Sequence, residues 1–247
     1  MTANPSVSVV IPALNEETTV ANVVRAALAS CANEVIVVDS DSTDATAANA
    51  AAAGATVLNW RDIAPEVPVQ PGKGEALWRG VRAARGDIVV FLDADVTTVQ
   101  PAWVNGLVGE FVDKRVQLVK ASYSRALDGA PSGGGRVTEL TAKPLLRLLF
   151  PHIPELDQPL AGEYAIRRET ALEVPFVAGY GVEAGLLIDV ATLHGPHSIA
   201  QVDLGHKAHR NRPLTELTEM SETVARTILA RAGVLDIPQR SPWAQLR

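Results

Sequence analysis

The sequence predicts an α/β fold with a Rossmann-like, mainly parallel central sheet flanked by helices, and three observations carry that prediction. Apolar runs at residues 6–11, 34–39 and 87–95 have the composition of strands buried on both faces. Helical patterns separate them, and strand, helix, strand, helix, strand at this spacing forms right-handed βαβ units and therefore a parallel sheet. The runs also end in acids, Asp39 in one and Asp93 and Asp95 in another, at the strand edge where open α/β sheets hold ligands.

Taken in order, the first strand is stopped by Pro12, and Asn15 is the expected N-cap of a helix whose Glu16 and Glu17 suit its positive end. Val20, Val23, Val24, Ala27 and Leu28 then keep helical spacing. Ser42 or Asp44 is placed to cap the Ala-rich helix that ends at Gly54, and residues 55–60 form a third strand. Pro65, Pro68 and Pro71 mark a rigid surface loop, after which Gly72-Lys73-Gly74 opens a helix over 75–85. Pro101 suits the first turn of a helix reaching Phe111, and 117–124 reads as a strand. Beyond a Gly-rich segment at 128–135, a helical run starts at Arg136. A strand at 159–168, a Gly-broken loop at 176–183, a helix to about His194, a strand at 198–204 and a long amphipathic helix from Pro213 complete the chain. No internal repeat or sharp linker divides it, so residues 1–127 and 128–247 read as two halves of one domain.

The 247 residues are 47% hydrophobic and only 4% aromatic, so the core is expected to be built from Val, Leu, Ile and Ala. A net charge of −6 argues against non-specific nucleic-acid binding, which needs a basic footprint. No apolar stretch is long enough to span a bilayer, and the start lacks the pattern of a signal peptide. One cysteine excludes an intrachain disulfide, which makes the cytosol the natural compartment; Cys31 itself is expected to be a small buried hydrophobe.

Asp93-Ala94-Asp95 is the most suggestive stretch. Two carboxylates one residue apart at a strand end are costly unless a positive charge sits between them, and a divalent cation carrying a diphosphate would meet that need. The bland alternative is a turn at one Asp and a helix cap at the other. His209 lies among His206, Lys207, Arg210 and Arg212 and is either a surface residue or a nitrogen ligand to the same cation. Lys73 between glycines either approaches a nucleotide or is a solvated charge. Glu183 either holds sugar hydroxyls or starts a helix. Gly135 and the glycines before it leave backbone N–H groups for an anion, with Arg136 adding a two-point contact, or they form a plain linker.

In sequence order, 12–17 (PALNEE), 39–44 (DSDSTD) and Asp93-Ala94-Asp95 resemble the GT-A glycosyltransferases of the family-2-like group. The stretches 71–78 (PGKGEALW), 133–140 (GGGRVTEL), 158–164 (QPLAGEY), 179–183 (GYGVE) and 209–214 (HRNRPL) are similar, more closely, to the glucosyl-3-phosphoglycerate synthase family, over roughly residues 7–233. The resemblance implies a GT-A fold with a nucleotide-sugar-binding half and a C-terminal acceptor-binding half. It implies retaining, metal-dependent transfer of glucose from a nucleotide donor, usually UDP-glucose, to the 2-hydroxyl of 3-phosphoglycerate. By the same resemblance Pro12, Ala13, Leu14 and Glu16 line the uridine pocket with Ser40 and Lys73. Asp95 and His209 would bind Mg²⁺ or Mn²⁺, and Asp93 would lie close to the ribose. Glu183 would hold the glucose, with Leu160 and Tyr180 beside it, and Asp95, Glu183 and Leu160 form the catalytic set. Gly135, Arg136, Thr138 and Asn211 would take the phosphoglycerate. A homodimer is implied as well.

Three positions depart from the family pattern. Asp41 stands where Gly is common, Ala161 replaces a Gly, and Lys207 replaces an Arg, keeping charge while losing the planar fork. Three other readings remain: transfer of mannose or another sugar to a related acceptor, a non-catalytic sugar-nucleotide-binding protein, and a haloacid-dehalogenase-like phosphatase with Asp93 as nucleophile. The phosphatase reading lacks a downstream acidic pair with a Lys.

Overall fold

In the structure, a computed structural model that describes residues 5–124, 135–207, 214–234 and 239–245, the first apolar runs form β1 (Val7–Ala13), β2 (Glu34–Asp39) and β3 (Thr56–Asn59). Helices α1 (Val20–Leu28) and α2 (Thr46–Ala52) connect them. Next come α3 (Lys73–Ala83), β4 (Ile88–Phe91), α4 (Pro101–Gly109) and β5 (Leu118–Ser124). A wide helical turn, Thr138–Ala142, runs into α5 (Lys143–Leu149), followed by β6 (Tyr164–Arg167), α6 (Arg168–Glu173) and β7 (Phe176–Val177). The remainder is α7 (Val182–His194), β8 (Ile199–His206), α8 (Leu214–Arg231) and β9 (Gln239–Arg240).

Seven strands share one sheet in the order β3-β2-β1-β4-β6-β5-β8. All neighbours are parallel except β6, which runs antiparallel to β4 and β5. Period-two alternation sends β1 residues to opposite faces. Val10 joins Ile36, Val38, Leu77, Trp78 and Leu187 on one face, and Val9 and Ile11 join Val23, Val24, Trp103 and Leu107 on the other. Helix α3 sits close on the first face because Gly80 has no side chain; a Cβ there would come within 2.4 Å of Val10 Cγ1. The chain runs from β1 outward to β2 and β3 on one side and then crosses from β3 through α3 to β4 on the other side of β1, so a crevice opens at the carboxyl ends of β1 and β4.

Several local expectations are corrected. Asn15 does not cap α1: it adopts a left-handed φ of 56°, Thr19 precedes the helix, and the Asn15 side chain instead accepts from Thr43 N at 2.9 Å. Cys31 is exposed, because the chain leaves α1 at Leu28 and turns on the surface before β2. The strand expected over 159–168 is confined to β6; residues 158–161 close a turn through Ala161 N to Gln158 O at 3.0 Å. The expected loop at 176–183 contains β7, which pairs with β9. Helix α2 has no side-chain N-cap bond, although Asp44 Oδ1 accepts from Thr46 N at 2.9 Å.

Candidate active site

Asp93 and Asp95 leave the carboxyl end of β4, whose four residues are buried and hold the chain rigidly up to that point. Asp93 has two cations of the protein on it. Lys73 Nζ donates to its Oδ1 at 2.5 Å and Lys207 Nζ to its Oδ2 at 3.3 Å. Gly162 passes so close that a Cβ there would lie 2.1 Å from Asp93 Oδ2. Burial raises the Asp93 carboxyl, but the Lys73 and Lys207 charges outweigh it and hold Asp93 well below the usual carboxylate range.

The lysines are themselves shared. Lys73 Nζ donates to Glu183 Oε1 at 2.8 Å, and Lys207 Nζ to Glu163 Oε1 at 2.6 Å. Burial pulls both ammonium groups down, yet their carboxylate partners leave each raised above the ordinary lysine value. Glu183 opens α7, so its backbone starts the helix while its carboxylate meets Lys73. A third lysine, Lys120 on β5, is fully buried; its Nζ donates to Ala161 O at 2.6 Å and lies 4.2 Å from the Tyr164 ring centre. Burial pushes Lys120 down to about 7, against the opposing pull of Glu183.

Above this charged floor, the loop after β1 and the end of β2 complete a cleft of about 340 Å³. Pro12, Ala13, Leu14, Glu16 and Ser40 line it together with Lys73, Asp93, Asp95 and Tyr180. Ser40 is placed by its N–H to Ala13 O at 2.9 Å, and Glu16 by its N–H to Thr46 Oγ1 at 2.7 Å. Asp41 turns away: its φ of 64° is one that glycine adopts freely, and its carboxylate meets Arg61 at 2.6 Å. Trp60, Gly72 and Gly179 also line the cleft, and the sequence reading did not single them out. Nor did it find Glu163 or Lys120, whose partners lie 44 and 41 residues away in the chain.

Gly135, Arg136 and Thr138 lie at the start of the helical run before α5, and Gly135 adopts a φ of 81°. An ideal Cβ on Gly135 would sit 3.8 Å from both Thr138 Oγ1 and Gln158 Oε1. Gln158 begins the turn that carries Leu160 and ends at Gly162 on Asp93, so one short segment connects this group to the cleft floor. Buried side-chain oxygens without a hydrogen-bond partner include Gln158 Oε1, Glu163 Oε2, Tyr164 OH and Asp39 Oδ1, all borne by this segment or by residues adjoining the cleft. His209 and Asn211 lie outside the described residues.

For a divalent cation, the two acids are not equivalent. Asp93 is neutralised by lysines, whereas Asp95 is half-buried at the cleft and forms no hydrogen bond or ion pair given by the described residues. No group of three or more His, Cys, Asp or Glu suited to a metal occurs among the described residues. One carboxylate completed by phosphate oxygens is a donor set that fits Mg²⁺ or Mn²⁺.

Comparisons with known proteins point the same way. A family model described as glycosyl transferase family 2 matches residues 8–168. The glucosyl-3-phosphoglycerate synthase of Mycolicibacterium smegmatis is 51% identical over 95% of this chain and 80% of its own, and that of Petrotoga mobilis is 41% identical over 94% and 75%. The crystal structure of the Mycobacterium tuberculosis glucosyl-3-phosphoglycerate synthase with Mn²⁺, UDP-glucose and phosphoglyceric acid superposes with a TM-score of 0.92 at 45% identity, covering 98% of this chain and 92% of that one. Other structures of that protein hold Mn²⁺, UDP and glucosyl-3-phosphoglycerate, or Mg²⁺ and UDP.

Proposed function

The chain belongs to glycosyl transferase family 2, among the glucosyl-3-phosphoglycerate synthases, and from that premise we propose that it moves glucose from UDP-glucose to the 2-hydroxyl of 3-phosphoglycerate with retention, giving glucosyl-3-phosphoglycerate. The observation that carries the reading is the single cleft in which the β1 loop, Ser40, Lys73 and the β4 acids meet. A groove of this size at a topological switch point suits a nucleotide.

In this reading Pro12, Ala13, Leu14, Glu16 and Ser40 hold the uridine, with Asp93 toward the ribose. Lys73, anchored on Asp93 and Glu183, presents a fixed positive charge toward the diphosphate. Asp95, with His209, holds Mg²⁺ or Mn²⁺. When bound, the cation neutralises charge gathering on the leaving diphosphate. Glu183 and Tyr180 orient the glucose, and Leu160 lies beside it on the turn that Gly162 seats against Asp93. Gly135, Arg136, Thr138 and Asn211 hold the phosphoglycerate by backbone N–H groups and a charge-assisted contact. Residues 1–127 thus supply most of the donor site, and 128–247 the acceptor site together with Leu160, Tyr180, Glu183 and His209 at the donor glucose and the metal.

Retention has to be reached without a free carboxylate nucleophile. Asp93 is committed to two lysines and Glu183 to Lys73, and Asp95 is assigned to the cation. A same-face displacement, with a donor phosphate oxygen taking the acceptor proton, therefore fits better than a two-step double displacement. The same commitment of Asp93 speaks against a phosphatase that uses it as nucleophile.

Our reading extends to a cytosolic homodimer. No helix of the described residues is long and apolar enough to cross a membrane. Sedimentation of the purified chain tests the dimer. The reaction is tested by measuring product over a matrix of UDP-, GDP- and ADP-sugars against 3-phosphoglycerate and glycerate. Turnover is expected with UDP-glucose and 3-phosphoglycerate; preference for a mannose donor would favour the related sugar transferase, and no turnover with any pair would refute both.

A further inference from the structure

Behind the cleft, the carboxylate of Glu75 on α3 is completely buried between two guanidinium groups. Arg79 Nε donates to Glu75 Oε1 at 2.7 Å; Arg240 Nε and Nη2 donate to its Oε2 and Oε1 at 2.7 and 3.0 Å. Both arginines also donate to main-chain carbonyls of one loop. Arg79 reaches Ile63 O, Ala64 O at 3.2 Å and Val67 O at 2.7 Å, and Arg240 reaches Pro68 O. Arg79 and Arg240 also approach the ring of Trp78, at 5.8 and 5.1 Å from its centre, and the Trp78 indole N–H donates to Ser241 O at 3.2 Å.

This loop lies between Trp60 and Gly72, both of which line the donor cleft. It contains Ala64 at a φ of 53°, a strained conformation for a residue with a side chain that persists only when its surroundings enforce it. The strand that carries Arg240, β9, pairs antiparallel with β7, which leads into Gly179 and Tyr180 on the same cleft. The two cleft segments touch directly: a Cβ on Gly72 would lie 2.7 Å from Gly179 N, and one on Gly74 would lie 1.9 Å from Val177 O. One C-terminal strand therefore grips both segments, one through its backbone ladder and the other through Arg240.

We infer that β9 is a clasp that sets the shape of the donor pocket, with Arg240 as a positioning residue acting through Glu75 and Pro68 on the Trp60–Lys73 segment. The inference rests on the cleft being the nucleotide site, and it adds a residue far along the chain that touches no substrate. A desolvated Glu75 held by two arginines is rigid, and releasing Arg240 loosens the Pro68 end of the loop while Arg79 stays on Glu75, Ala64 and Val67.

The test is calorimetric titration of UDP, with Mg²⁺ present, into the wild-type chain, Arg240→Ala and Arg240→Lys, beside the KM for 3-phosphoglycerate and thermal unfolding. Arg240→Ala is expected to raise the Kd for UDP about 10-fold, a usual size for coupling between separate sites, with the acceptor KM changed less than about 2-fold. Arg240→Lys, which keeps the charge and loses the fork, is expected to fall between and serves as the measurement if the alanine variant does not fold. An unchanged Kd for UDP in the folded variants, or equal losses in UDP and acceptor, would reduce Arg240 to a structural residue and overturn the inference. If the wild-type chain binds UDP but forms no glucosyl product, the functional reading fails alone and the Kd values still decide the clasp.

Discussion

Lys73 and Asp93, 20 positions apart in the chain, form an ion pair of 2.5 Å on the floor of the cleft, and the same ammonium group also meets Glu183 at 2.8 Å. One cation thus ties the start of α3 to the end of β4 and the start of α7. Lys73→Met leaves two largely buried carboxylates short of a partner, with Lys207 still on Asp93. Loss of about 3 kcal/mol is expected, lowering the unfolding midpoint by about 6–12 °C together with a raised KM for the donor. An unaltered midpoint in differential scanning calorimetry would contradict the shared-cation picture.

Gly162 and Ala161 make a matched pair. Gly162→Ala drives a methyl onto Asp93 Oδ2 and displaces the carboxylate from Lys207, so turnover is expected to fall by about 100-fold. Ala161 is fully buried but has no left-handed backbone, and Ala161→Gly is expected to keep activity within about 2-fold while costing about 1 kcal/mol. Steady-state rates of the two variants side by side check the contrast; equal effects would place the constraint elsewhere in the turn.

Arg136→Ala removes a charge-assisted contact worth about 1.5–3 kcal/mol. An acceptor KM raised about 10- to 100-fold with little change in kcat is the expected signature of lost uniform binding. A constant KM for 3-phosphoglycerate would move the phosphate site away from the start of the wide helical turn.

Lys120 gives a pH dependence with a definite sign. Its folded value, about 7, lies below the ordinary lysine value of 10.5, so between these limits the unfolded chain binds the extra proton. Stability from this group rises with pH across that window, and its penalty is full below about pH 7. Comparison with Lys120→Met isolates the effect: the variant's advantage in unfolding midpoint is expected to shrink as pH is raised from 7 to 10. A midpoint difference that stays constant with pH would show that Lys120 is not held in this way.

Much of this architecture was legible because buried parallel strands leave long apolar runs and end in polar residues. Residues 34–39 became β2 unchanged, and the acids after 87–92 lie on the cleft. Asn15 misled because a capping residue and a left-handed turn residue share the same short polar side chain; the loop it bonds to, near Thr43, decides between them. The charged floor was legible only in part. The sequence suggested that a cation must sit by Asp93 and Asp95, but local spacing cannot show that Lys207, 114 positions later, supplies one of the charges on Asp93. Lys120 sat unmarked in a strand pattern, since nothing nearby in sequence shows that it is covered by Tyr164 and Ala161.

The central claim is that Asp95, the acid left uncommitted by the lysines, serves the metal-assisted departure of UDP. Its most direct test is the rate of UDP release from UDP-glucose with 3-phosphoglycerate and Mg²⁺ or Mn²⁺, in the wild-type chain and in Asp95→Ala. The account predicts release that requires both acceptor and metal and that falls by at least about 100-fold in a variant that remains folded. Near-normal release by folded Asp95→Ala, or wild-type release indifferent to metal removal, would contradict it.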